Sequence, residues 1–134
     1  MPIHRQPSAK PPEFRTRAET LDHYAALLQS IIDARGKRYE FFPSELFVDP
    51  AWDILLHAAL AQEQQRRITV TALCAAVNVP DTTAARWIRH MVDKEILVRR
   101  DAPTDARIKY IELSVAAAAK LRLYLRSISE GEPV

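Results

Sequence analysis

Nine consecutive residues, Arg99-Arg100-Asp101-Ala102-Pro103-Thr104-Asp105-Ala106-Arg107, set three arginines and two aspartates around a proline bend. Arginine offers five N–H donors in a planar fork that matches phosphate and base edges, so such a loop suits binding a polyanion. Asp105 and Arg107, two apart at the tip, can pair and fix the direction of the guanidinium. A guanidinium held that way fits the narrow, electronegative minor groove of duplex DNA. Arg99 and Arg100 are neighbours on an extended chain and face opposite sides, which leaves at least one free for a phosphate. The plainer reading is an ordinary surface ion pair, worth well under about 1 kcal/mol.

A second set of such residues precedes the loop. Taken as a helix at about 100° per residue, residues 81–94 turn Ala84, Trp87, Ile88 and Met91 inward. Thr82, Arg86 and Arg89 then centre the opposite face, with Thr83, Ala85 and His90 beside them. Arginine can pair bidentately with guanine, and threonine offers a hydroxyl and a methyl for thymine. Ala85 lets the helix backbone approach closely. The helix N-terminus and the two threonine hydroxyls can hold phosphates. Solvated surface charge is the alternative for these arginines, and an ordinary surface histidine for His90.

These groups need a scaffold, and the chain's periodicity supplies one. Residues 1–17 carry Pro2, Pro7, Pro11 and Pro12 and are expected to form an unstructured basic tail, followed by a single domain over 18–134. A helix is expected from Ala18 to Gly36, with Leu21, Tyr24, Leu28 and Ile31 as its apolar stripe. Asp49-Pro50 reads as an N-cap followed by proline at the first helical position. That second helix should run to about Gln64 and bury Trp52, Leu55, Leu56 and Ala59. Thr69 can cap a third helix, Val70–Val77. Asn78-Val79-Pro80 breaks the chain before the fourth, and two apolar runs, Ile96–Val98 and Ile108–Leu113, read as strands flanking the basic loop. Ser114 can cap a last helix, with Leu121, Tyr124, Leu125 and Ile128 as its stripe. Two short helices across a three-residue turn, followed by a hairpin, give a mainly α fold (α+β): a winged helix-turn-helix with a two-stranded wing and flanking terminal helices.

Composition narrows the function classes. The chain has 134 residues, 48% of them hydrophobic, enough for one packed core. The net charge of +2 is uninformative, but its distribution is not. Residues 1–17 hold four basic side chains and one acidic; residues 18–65 hold three and eight; residues 66–134 hold twelve and eight. A basic C-terminal half points to one polyanion-facing surface. No apolar run reaches the roughly 18 residues of a membrane span. Residues 1–17 lack the apolar core of a secretory signal, and the lone Cys74 fits a reducing cytoplasm. Neither a metal site nor a cofactor is expected, because His4, His23, His57 and His90 show no ligand spacing with one another or with Cys74. Two glycines, Gly36 and Gly131, cannot build a phosphate-cradling loop, and no nucleophile elbow occurs. The expectation is a protein that is not an enzyme. Cys74, in phase with Leu73 and Val77, reads as inert packing. For a small-molecule effector the best residues are Tyr24, Phe47 and His57, from an aromatic set that includes Tyr39, Phe41 and Phe42.

From Trp52 to Leu121 the sequence resembles the MarR family of bacterial winged-helix transcriptional regulators. Trp52-Asp53-Ile54-Leu55 is similar to the family's second-helix core. Ile68-Thr69, Leu73-Cys74, Val77-Asn78-Val79 and Thr82-Thr83 fall along its helix-turn-helix. Arg99, the later Asp105-Ala106-Arg107 and Leu113-Ser114 match its wing. Glu95 and Ala117 stand where the family commonly has glycine, and Ala106 replaces a frequent wing-tip arginine. The resemblance implies a cytoplasmic homodimer that binds double-stranded DNA and can answer to a small-molecule effector. It places recognition on Thr82, Thr83, Arg86 and Arg89, and a minor-groove contact on Arg107. The family has a longer C-terminal dimerisation region, so segments 18–36 and 114–129 are the expected dimer helices. Two other readings lack DNA binding: a winged-helix module that recruits a protein, and a ligand sensor.

Overall fold

Asp49 and Pro50 start the helix around which the others pack. The Asp49 carboxylate accepts a hydrogen bond from the Trp52 N–H at 3.3 Å, and Pro50 occupies a position that needs no donor. In the computed structural model, which describes residues 16–130, this is the second of five helices. The elements are α1 (Arg17–Lys37), α2 (Pro50–Glu63), β1 (Ile68–Thr69), α3 (Val70–Ala76), α4 (Asp81–Asp93), β2 (Leu97–Asp101), β3 (Lys109–Leu113) and α5 (Val115–Glu130). Two 3-10 turns, Arg38–Glu40 and Ser44–Leu46, connect α1 to α2. Most of the expected tail, residues 1–15, lies outside the described residues, as do residues 131–134 and the side chain of Leu21. The described chain is a winged helix-turn-helix.

α2 is buried on more sides than its expected stripe implies. Ile54, Leu56, Ala58, Ala59, Leu60 and Ala61 are all buried, whereas Trp52 and Leu55 are only half-buried. Those six positions wrap the helix, because α1, α3, α4 and β3 all contact it. A helix apolar all round belongs at the centre of a domain. α4 is the opposite case. Ala84, Ile88 and Met91 are buried, Trp87 is half-buried and the other face is open, as its periodicity predicts.

The caps at Thr69 and Ser114 form as expected. Thr69 Oγ1 accepts from the Ala72 N–H at 3.0 Å, and Ser114 Oγ accepts from the Ala117 N–H at 3.1 Å. Helix ends differ more. Gly36 does not stop α1; its φ is not positive, and the helix runs on to Lys37. The start falls at Arg17, where Thr16 Oγ1 accepts from the Glu19 N–H at 3.1 Å.

The wing strands also differ from expectation. Arg99 and Arg100 belong to β2, not to the connecting loop, which shortens to residues 102–108. Cross-strand ion pairs Arg100–Glu112 and Lys109–Asp101 accompany this longer ladder. The sheet has a third strand that the sequence does not announce, in the order β1-β3-β2. Ile68 pairs with Ile111, and beyond the two-residue β1 the Leu113 N–H donates to the Gln62 side-chain carbonyl at 3.1 Å. On α5, Leu121 and Leu125 are buried, but Tyr124 and Ile128 from the same expected stripe are exposed.

α2 and α4 end alike. After α4, the Glu95 N–H bonds to the Val92 carbonyl and the Ile96 N–H to the Met91 carbonyl, both at 2.9 Å. After α2, Gln65 and Arg66 repeat the pattern onto Gln62 and Ala61. These are Schellman motifs, and the left-handed residue in each carries a side chain: Gln65 at φ 58° and Glu95 at φ 61°. Glycine relieves the Cβ strain of that conformation. Glu95→Gly is therefore expected to raise unfolding stability by about 0.5–1 kcal/mol. Urea denaturation with an unchanged slope checks this, and a less stable variant contradicts it.

Candidate nucleic-acid interface

α4 carries Thr82, Arg86, Arg89 and His90 on its exposed face, with Thr83 and Ala85 half-buried at its margins. Pro80, the N-cap, has no side-chain acceptor, so the N–H groups of the first turn lack a side-chain partner. They are available to an anion, although Asp81 lies in the same turn and opposes one. His90 meets the half-buried Trp87 edge-on, with ring centroids 5.9 Å apart, so its ring is steadied at the rim of this face.

The arginines fall into two groups. Arg35, Arg100, Arg107 and Arg122 each have a carboxylate partner, whereas Arg86, Arg89 and Arg99 have none among the described ion pairs. Arg99 and Arg100 face opposite sides of the sheet, as their adjacency requires. Arg99 shares the side of Ile111, its register partner, and Arg100 the side of Tyr110.

At the wing tip, Asp105 accepts three hydrogen bonds from Arg107: the backbone N–H at 3.0 Å, Nε at 3.1 Å and Nη2 at 3.0 Å. The guanidinium, and then the backbone N–H, hold the Asp105 carboxyl below the usual carboxylate range, and the same contact raises Arg107. The Arg107 side chain is 90% exposed, so the pair orients a donor toward solvent and is no structural anchor. Because the Asp105 value is depressed, the pair is complete above the ordinary carboxylate pKa and is lost only as pH falls through the lowered one.

Tyr24, Phe47 and His57 occupy three separate settings. Tyr24 is buried in the core beneath the Arg122 guanidinium, 5.0 Å from its ring centroid. Phe47 is exposed in the turn before α2, edge-on to Phe42 at 5.6 Å. His57 is half-buried on α2. Burial also raises the Cys74 thiol, with Asp81 adding to the rise, so the sulfur is held as a poor nucleophile. Among the described residues no cluster of His, Cys, Asp or Glu could hold a metal ion.

No family model matches the sequence, and no curated protein matches it. The likeness to known proteins is in three dimensions. A mutant MarR from E. coli in complex with operator DNA aligns with a TM-score of 0.51 at 16% identity, over 84% of this chain and 71% of that one. A mutant MepR from S. aureus aligns at 0.50 and 17% identity, over 87% and 79%. AF1382 from Archaeoglobus fulgidus aligns at 0.50 and 16%, over 65% and 96%. The fold is that of the MarR-type winged-helix regulators.

Three features around this MarR-type frame lie outside the residues expected from the sequence. An open apolar groove of about 400 Å³ runs behind α4, between Trp52, Leu55, Trp87 and Met91, with His90 and Lys94 at its edge. The doublet Arg66-Arg67, visible as a charge cluster, lies just before β1. A polar cluster ties α1 to α2: Arg35 Nε donates to Asp53 at 2.5 Å, and Arg35 Nη2 is buried without a hydrogen-bond partner.

His57 follows Asp53 by one turn of α2. Burial pushes its pKa below the ordinary 6.5, and the Asp53 charge opposes that only in part. The native state therefore holds the neutral ring while the unfolded chain takes up a proton, so this contribution to stability is full above about pH 6.5 and declines as pH falls toward the lowered value. His57→Gln should flatten the stability profile over that interval. Chemical denaturation at several pH values tests it, and an unaltered slope contradicts it.

Proposed function

We propose that this chain is a sequence-specific, double-stranded DNA-binding transcriptional regulator that acts as a cytoplasmic homodimer. The observation that carries the reading is the exposed face of α4, where Arg86 and Arg89 stand beside Thr82 with no carboxylate partner among the described ion pairs. Left unpaired, a guanidinium retains all its donors for a guanine edge or a phosphate. In this reading α4 enters the major groove, Thr83 and the first-turn N–H groups take phosphates, and His90 supports the rim. Arg107, aimed by Asp105, meets the minor groove. Arg99, unpaired, supplies a phosphate contact, while Arg100 is the weaker contributor because Glu112 already holds it.

The MarR–operator complex shares this fold, which supports the DNA reading. Exposed Leu123, Tyr124 and Ile128 on α5 support an association surface there, with α1 alongside. Two copies would place their recognition helices about one helical turn apart on a pseudo-palindrome. An effector is part of the proposal, with Tyr24, Phe47 and His57 as its first residues to test.

Binding to mixed genomic duplex should fall steeply and log-linearly with salt; no binding at low salt contradicts the reading. Once selection from a random duplex pool supplies a site, Arg86→Ala should cost about 1–3 kcal/mol there and relax base preference. Arg107→Ala should weaken all sequences more evenly, and unchanged affinity removes the wing contact. Sedimentation at micromolar concentration checks the dimer, which a monomer contradicts.

A further inference from the structure

The connection between α1 and α2 leaves large apolar side chains in water. Phe41, Phe42, Leu46, Phe47 and Val48 are all exposed, Phe41 by 74% and Leu46 by 66%. Apolar residues scattered singly over a surface need no explanation, but five within one short turn do.

The turn is also ordered. The Phe41 and Phe42 N–H groups both donate to the Arg38 carbonyl, at 3.1 and 2.9 Å, and the Leu46 and Phe47 N–H groups donate to the Pro43 and Ser44 carbonyls at 3.2 Å. The Tyr39 hydroxyl donates to the Phe47 carbonyl at 3.4 Å, and the Phe42 and Phe47 rings meet edge-on. Asp49, turned to its own helix as the cap of α2, closes the segment. The apolar groups are therefore held outward by their own backbone, and little conformational freedom remains to be lost when a partner covers them. One turn into α2, Trp52 meets Tyr124 of α5 with ring centroids 5.5 Å apart, so the surface leads on to exposed Tyr124 and Ile128.

Size and charge decide what fits there. At about 200 Å² per aromatic side chain and somewhat less per aliphatic one, the exposed fractions leave roughly 500 Å² of apolar surface on the turn, and roughly 700 Å² with Tyr124 and Ile128. A monomer rarely leaves a patch above about 300–600 Å² uncovered, and a stable interface takes about 800 Å² from each partner. Lys37 and Arg38 stand against Glu40 and Glu45 along the turn, so its charge favours neither a basic nor an acidic partner. A copy of the same surface can approach across a two-fold axis without net repulsion. We propose that the aromatic turn 41–48 is a self-association surface, and that its occupant is the same turn of a second copy of this chain. It lies outside the segments 18–36 and 114–129 expected to pair. The inference rests on the homodimer of the proposed function and on no other part of it, so DNA binding is not required.

The test is sedimentation velocity of the full chain, and of a Phe41→Gln, Leu46→Gln double variant, across the micromolar range. The unaltered chain should dimerise, and the double variant should weaken dimerisation about a hundredfold, with far-UV circular dichroism unchanged because both side chains are exposed. In amide proton–nitrogen spectra, dilution of the unaltered chain through its dissociation should shift the amides of residues 41–48, and the variant should lack those shifts. A double variant that dimerises with unchanged affinity overturns the inference, as does a dilution series whose shifts centre on α1 or α5 alone. Both of those results leave the homodimer reading standing. An unaltered chain that stays monomeric at every concentration removes the homodimer reading and the inference together.

Discussion

α2 has almost no face to give to water over its middle turns, and the rest of the fold follows from that constraint. Burying Ile54, Leu56 and the run Ala58–Leu60 requires neighbours on several sides, and α1, α3, α4 and β3 are those neighbours. Alanines at 58, 59 and 61 keep the helix thin enough for close approach. Polar contacts then set the angles. Arg35–Asp53 holds α1, and Gln62 supplies the acceptor that the short β1 cannot give to Leu113. Glu63 takes Arg122 through two hydrogen bonds of 2.9 and 2.8 Å, with Glu63 itself only 10% exposed. Removing Arg122 would strand the nearly buried Glu63 carboxylate, whereas removing Glu63 leaves an arginine that is already about two-fifths exposed.

The legible parts of the fold are those decided within one turn or one strand. Asp49-Pro50, Thr69 and Ser114 act through bonds three residues away, and each caps the helix that its spacing announces. The phase of α4 is equally local, because one face is buried and the other open. Glycine is a poor guide here. Gly36 continues a helix, and the two left-handed turns fall on Gln65 and Glu95, where the tertiary path of the chain overrides the residue preference. Burial around α2 and the third strand could not be read, since both depend on partners distant in sequence. At the candidate site the Asp105–Arg107 pair was within reach, being two residues apart. The commitment of Arg100 to Glu112 needed the strand register.

The distribution of charge partners gives the molecule two different kinds of arginine. Arg35 is sheltered, Arg122 is partly exposed, and each pairs with an acid of α2 to hold helices together. Arg86, Arg89 and Arg99, like Arg66 and Arg67, are exposed and unmatched by carboxylates among the described ion pairs. A net charge of +2 conceals this, because the acids are spent inside the structure and along the first half of the chain. Affinity for an anion follows local balance within about a Debye length, not the total.

Only Lys94, Glu95 and Ile96 separate α4 from β2, and each is fixed by a backbone hydrogen bond from its N–H to the last turn of α4, while the Ile96 carbonyl also accepts from the Ser114 N–H. α4 and the wing are thus two jaws of one caliper, joined at a hydrogen-bonded knuckle. On the DNA reading, such a tool gauges the distance from a major groove to the adjoining minor groove as well as the letters within them. A duplex with suitable bases but the wrong groove spacing would fit one jaw and miss the other. On the proposed dimer, a change in affinity would then come from re-angling two whole copies, because three hydrogen-bonded residues couple helix and wing within each.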